Sequence, residues 1–355
     1  MAAFTVPNVE IVGVGACVPS YIDRNADSPL LSEEEKDKLI SSIGVEEKRI
    51  ADDSVCTSDL CYQAAEKLIE DLKWDKKDIE CLIFVSQTPD YILPATSCIL
   101  QNKLSLSQEC HTIDISLGCS GWVYGLSMIS SLMSAGQIKK GLLLVGDTTS
   151  KTTSPKDKSS WPLFGDAGTA TGIIFKEGAK GFLFHTATDG GGSDAIKIPD
   201  GGYRNPFNNG SLIMHETGEG GRKNNLHCIL EGMDVFSFAI SKVPKSVKKV
   251  LEAANVGKDN IDYYLFHQAN LFLNETIRKK MKLSLEQVPY SINKFGNTSC
   301  ATIPLTMVAN LKNELESHKL RLIGSGFGVG LSWATVYFET DHIICSNLIE
   351  YNERL

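Results

Sequence analysis

The stretch FGDAGTATGIIF, from Phe164 to Phe175, returns in altered form as FGVGLSWATVYF, from Phe327 to Phe338. Both open on Phe-Gly, both close on Phe, and both read as strands. The likeness continues upstream. KKGLLLVGD (139–147) precedes the first copy and HKLRLIGSG (318–326) the second. Further back lie DIECLIF (78–84) and NIDYYLF (260–266), each after a basic amphipathic helical pattern. Three pairs in one order indicate a duplicated chain, and the period is far too long for a solenoid repeat. NVEIVGVGACV, DIECLIFVSQ, CHTIDISL, GLLLVGD and GTATGIIF supply strands in the first half, with SDLCYQAAEKLIEDLK as a helix between them. Strands alternating with helices predict α/β layers. The boundary is expected near Gly178, giving an N-terminal half 1–178 and a C-terminal half 179–355.

Composition narrows the function. The 355 residues are 42% hydrophobic and 22% charged, an ordinary globular balance whose core needs no disulfide or metal staple. A net charge of −8 argues against broad attraction to nucleic acid. The opening MAAFTVPNVE has neither the basic nor the apolar region of a secretory signal, and no apolar run approaches the roughly 18 residues of a membrane span. Ten scattered cysteines without a C-x-x-C pair read as reduced thiols of a cytoplasmic protein, ahead of zinc ligands. GVGACV lacks the last glycine of a dinucleotide fingerprint and there is no G-K-[ST], so the glycines make no phosphate cradle. The polar segment 147–160 and the Gly- and Asn-rich segment after Asp189 read as loops.

DISLGCSGWVYGLSMISSLMSAG (114–136) places Cys119 where a strand gives way to a helix. Unpaired N–H groups at a helix N-terminus favour thiolate over thiol, so the position suits a nucleophile. The duplication adds two partners. IDYYLF runs into HQAN, which puts His267 at a strand's C-terminal end, where the first half has Val85. Open α/β sheets gather their sites at such ends. SINKFGNTSCATIPLTMVANL imitates the Cys119 segment and sets Asn297 opposite Cys119. Pseudo-twofold packing of the halves would bring Cys119 and Asn297 together near the axis, with His267 beside them.

GCSGW around Cys119, HQAN around His267 and GNTSCATIP around Asn297 resemble the Cys-His-Asn motifs of β-ketoacyl-acyl-carrier-protein synthase III. IGVEEKRI (43–50), FGDAGTA (164–170), GMDVFSFAISKVP (232–244) and GFGVGLSW (326–333) extend the resemblance over essentially the whole chain. It implies the thiolase-like fold, five-layered αβαβα, as a homodimer without metal or prosthetic group. It also implies a decarboxylating Claisen condensation. Cys119 would take an acyl group from acyl-CoA or acyl-ACP, and the backbone N–H groups of Cys119 and Val329 would form the oxyanion hole. His267 and Asn297 would each aim an N–H at the enolate formed from malonyl-ACP. Val329 stands where many relatives have glycine, and it can serve if its φ is negative.

Other positions depart from the family. Well-known members grip adenine between a Trp and an Arg, and the resemblance puts Lys38 and Lys158 there. Lysine cannot stack as those groups do. Phe272 replaces an Arg that helps dock the acyl carrier protein, although Arg278, Lys279, Lys280 and Lys282 follow on the same helix as a candidate docking patch. Leu93 occupies the position, commonly Phe, that reaches into the partner's acyl pocket. Two alternatives accompany this reading: a non-condensing acyltransferase on the same fold, and an inactive partner subunit. Retention of Asn297 argues against the first, and of all three motif residues against the second.

Overall fold

The computed structural model describes residues 3–351. Two sheets carry the duplication. In the first, Val9–Pro19, Asp166–Phe175, Lys140–Thr148, Cys81–Val85 and His111–Ile115 lie side by side in that order. In the second, Phe182–Thr188, Ser332–Asp341, Lys319–Gly328 and Tyr263–Phe266 repeat the order. Strand senses repeat too. The first two pairings of each sheet are antiparallel and the third is parallel. The three pairs of repeated segments that opened the sequence are therefore pairs of equivalent strands, whereas the segment before Asn297 is helical where its counterpart before Cys119 is the strand His111–Ile115.

The chain ends exchange sheets. Phe4–Val6 pairs with Phe182–Thr188 in the second sheet, whereas Ile344–Cys345 and Ile349–Tyr351 pair with Val9–Pro19 in the first. A cut in sequence consequently does not separate the sheets, and each terminus ties one half to the other.

Between the sheets lie Gly121–Met133 and Thr302–Asn310. GWVYGLSMISSLM and TIPLTMVAN have no wide polar face, and a helix of that kind must be covered nearly all round. Trp122, Leu126, Ile129, Ile303 and Met307 join strand residues of both sheets, among them Val85, Leu143, Leu322 and Val336, in one continuous core. Thr57–Leu72 covers the outer face of the first sheet. Gly232–Ala254 and Leu271–Met281 cover that of the second. The layers run αβαβα, as the resemblance implied.

Trp122 is fully buried, lies 5.9 Å from the ring of Phe338 in the second sheet, and donates to Thr171 Oγ1 in the first at 3.1 Å. Trp122→Ala should lower the unfolding free energy by about 3–5 kcal/mol, read from urea denaturation. An unchanged midpoint would show that this helix does not carry the core.

Candidate active site

A cavity of about 810 Å³ opens beside the central helices and is lined by Cys119, His267 and Asn297. Each arrives from a different element. Cys119 lies in the turn between His111–Ile115 and the helix starting at Gly121. His267 follows Tyr263–Phe266 directly, and its backbone N–H donates to the Ser325 carbonyl at 2.9 Å. Asn297 follows Gly296, whose φ of 64° and ψ of −161° suit glycine; a Cβ there would lie 2.7 Å from the Leu163 carbonyl oxygen.

The Gly-rich turn reaches the sulfur. A Cβ on Gly328 would sit 2.6 Å from Cys119 Sγ, so close approach requires glycine there. The Val329 N–H points at the thiol, and Val329 is not among the residues with positive φ. Ser332 holds this turn to the nucleophile turn: its Oγ is 2.7 Å from Ser120 Oγ and donates to the Val329 carbonyl at 2.9 Å.

Asn297 has a fixed orientation. Its Oδ1 accepts the Ser299 backbone N–H at 2.9 Å, and its Nδ2 donates to the Ala269 carbonyl at 3.3 Å. An amide nitrogen has two hydrogens, so one remains for a substrate. The His267 ring is buried, with Nδ1 2.8 Å from Thr302 Oγ1 and the Phe327 ring packed edge-on.

Burial governs the charge states. It pushes the Cys119 thiol up to about 11, aided by the Asp147 carboxylate, while the N–H groups of Val329 and Cys119 pull the other way. Burial also lowers His267 to about 3, against a smaller opposing contribution from the Ser299 backbone. The resting site therefore holds a neutral thiol and a neutral imidazole at physiological pH. Desolvation therefore opposes the helix N-terminus that the sequence suggested would favour thiolate.

The remaining predicted residues divide. Phe272 lines the cavity rim, 61% exposed and stacked on Phe236 at 5.4 Å. Leu93, Lys38 and Lys158 do not line the cavity. Lys38 pairs with Glu34 at 2.6 Å, and Lys158 pairs with Glu35 at 3.0 Å. Glu35 is held down to about 2 by the Ser32 backbone N–H and by Lys158. Arg278 is turned onto Glu275 through two 2.7 Å bonds, and Lys280 donates to the Ile240 carbonyl at 2.9 Å. Lys279 and Lys282 are exposed on the same helical segment. Sequence reasoning missed Thr302, Ser332 and Asp147. No charge or motif marks the first two, and Asp147 was read as the start of a loop.

Fold and cavity define a condensing enzyme of the thiolase type, an acyltransferase by chemistry. Comparison with known proteins gives the family. The family model for 3-oxoacyl-[acyl-carrier-protein] synthase III matches residues 113–190, and that for its C-terminal part matches 251–340. The chain is 34% identical to the β-ketoacyl-[acyl-carrier-protein] synthase III of Clostridioides difficile, covering 91% of this chain and 95% of that one. It is 33% identical to the corresponding protein of Caldanaerobacter subterraneus, covering 92% and 96%. The crystal structure of a 3-oxoacyl-(acyl-carrier protein) synthase from Burkholderia xenovorans superposes with a TM-score of 0.92 at 38% identity, covering 98% of this chain and 99% of that one. The chain belongs to the 3-oxoacyl-[acyl-carrier-protein] synthase III family.

A thiol whose pKa is raised is neutral below that pKa, and its thiolate fraction grows about tenfold per pH unit. Iodoacetamide alkylation, mapped to Cys119 by mass spectrometry, should therefore accelerate from pH 7 to pH 10 without levelling. A plateau below pH 8 would mean that the helix N-terminus outweighs burial.

Proposed function

We propose that the chain joins an acyl group, carried on Cys119, to a malonyl thioester on acyl carrier protein. The observation that carries this reading is the convergence of Cys119, His267 and Asn297 on one cavity, with the Val329 N–H at the sulfur. Cys119 gives up its proton and attacks the acyl thioester carbonyl. The tetrahedral oxyanion is held by the N–H groups of Cys119 and Val329, and the departing thiolate takes a proton. The malonyl carboxylate then leaves as carbon dioxide, and its bonding electrons become the enolate. Neutral N–H donors from His267 and Asn297 stabilise the enolate oxygen. The enolate carbon attacks acyl-Cys119, the cysteine sulfur departs as thiolate and takes a proton from water, and a 3-oxoacyl thioester is released.

The delivering surface follows from the same geometry. Phe272 opens the helix Leu271–Met281 at the cavity rim, and Lys279, Lys280 and Lys282 lie at its far end, with Arg278 bracing Glu275 beneath them. We assign this segment to docking of the acidic carrier protein. The clamp positions favour no nucleotide: Lys38 and Lys158 are each neutralised by a glutamate of the helix Glu33–Ile43.

A homodimer fits the opposite face. His111–Ile115 is a sheet edge whose Ile113 is exposed, and Met128, Leu132, Tyr91, Ile92 and Leu93 are further exposed apolar residues. An uncovered edge and exposed apolar residues call for a partner. We therefore retain the homodimer, with Leu93 contributing to the neighbouring acyl pocket. The division into halves 1–178 and 179–355 is likewise a proposal, qualified by the exchanged terminal strands.

Mass spectrometry and carbon dioxide release separate the two half-reactions. Cys119→Ala should carry no acyl adduct at this position and form no condensation product. Asn297→Ala should still be acylated, while malonyl decarboxylation falls about 10²–10³-fold, the usual loss for one such donor. Undiminished carbon dioxide release would remove Asn297 from its role. Lys279→Glu with Lys280→Glu should weaken carrier-protein binding, most strongly at low salt. An unchanged binding curve would make that helix face merely solvated.

A further inference from the structure

A neutral imidazole carries one proton, and the nitrogen that holds it decides whether the ring can donate to a substrate. In His267, Nδ1 lies 2.8 Å from Thr302 Oγ1, which leaves Nε2 for the cavity. Thr302 is buried at the first position of the helix Thr302–Asn310. Its hydroxyl also lies 3.0 Å from the Ser299 carbonyl. One hydroxyl proton thus has two acceptors within reach, and the Ser299 carbonyl is also an acceptor for the ring, so the hydroxyl's choice bears directly on the tautomer.

If that proton goes to the carbonyl, the ring donates from Nδ1, and Nε2 meets the substrate as a bare lone pair. A lone pair repels an enolate oxygen. If the proton goes to Nδ1, the ring proton resides on Nε2 and can be donated. The Ser299 carbonyl does not depend on the hydroxyl, because it already accepts the Thr302 backbone N–H. Among the described residues, Thr302 is the only side chain hydrogen-bonded to Nδ1.

We propose that Thr302 is a positioning residue, whose hydroxyl donates to His267 Nδ1 and so keeps the ring proton on Nε2 for the enolate oxygen. The inference rests on His267 being an enolate donor. A hydroxyl here acts only on the decarboxylating half-reaction, since loading of Cys119 draws on backbone N–H groups.

The test begins with the wild-type protein labelled with ¹⁵N-histidine, the His267 signals being those lost in His267→Ala. Protonated Nε2 with a bare, accepting Nδ1 is expected; a proton on Nδ1 would overturn the proposal whatever the variants do. Thr302→Val keeps the shape without the hydroxyl. It should lower kcat for condensation roughly 10–100-fold, the range seen when a partner orienting a working histidine is lost. KM for the malonyl thioester and acylation of Cys119 should change little. Thr302→Ser should restore most of the rate. Full kcat in Thr302→Val would also sink the proposal, provided His267→Ala is defective. If His267→Ala itself decarboxylates normally, the reading of His267 fails instead.

Discussion

Two apolar helices must be buried at once, and the rest of the molecule follows from that demand. Gly121–Met133 and Thr302–Asn310 offer no broad polar face to solvent, so each needs cover on nearly every side. Two sheets supply most of it, leaving Met128 and Leu132 exposed, and a single continuous core forms across them. The turn before the first helix carries Cys119, and the turn before the second carries Asn297. Packing the helices together therefore assembles the site as a by-product of covering apolar surface. The exchanged terminal strands reinforce this, since parting the halves would strip paired strands from both sheets.

The same burial sets the chemistry. Desolvation disfavours charge of either sign, and so it raises the Cys119 thiol while lowering the His267 imidazole. An uncharged centre is suited to stabilising charge that exists only fleetingly, because fixed N–H dipoles need no reorganisation when an oxyanion forms. Its cost is a thiol that rests protonated. The N–H groups of Val329 and Cys119 offset part of that cost, and Gly328 makes their approach to the sulfur possible.

Much of this was legible before any coordinates. The repeated segments gave the pairs of equivalent strands, because a buried strand must keep small and β-branched residues wherever its copy packs. Cys119, His267 and Asn297 were legible because they interrupt that likeness. Thr302 was not, since a threonine opening a helix is common and its partner His267 lies distant in sequence. Neither were the Glu34–Lys38 and Glu35–Lys158 pairs, which hold both lysines of the altered clamp against carboxylates. Exposed ion pairs depend on where loops settle, and the sequence pattern carries little about that. The desolvation of Cys119 was not legible for a related reason: the helix N-terminus can be read locally, whereas desolvation depends on everything packed around the sulfur.

Equivalent positions in the two halves explain why the molecule has one centre and not two. Val85 and His267 end matching strands. Around Val85 the space is filled: a Cβ on Gly121 would lie 2.8 Å from its Cγ1, and the Cys300 sulfur packs 3.7 Å from its carbonyl oxygen. His267 instead borders the cavity. Asp147 and Gly326 are a second such pair. Asp147 accepts hydrogen bonds from Ser86, the Gln87 backbone and Cys300, which fixes the strand ends of the first half. Gly326 has no side chain, and the Cys119 carbonyl oxygen occupies the space a Cβ would need, 2.7 Å away. Packing thus fills the space beside Val85, and Asp147 is hydrogen-bonded in place where it lines the cavity. The second half opens the equivalent ends so that the nucleophile turn can enter.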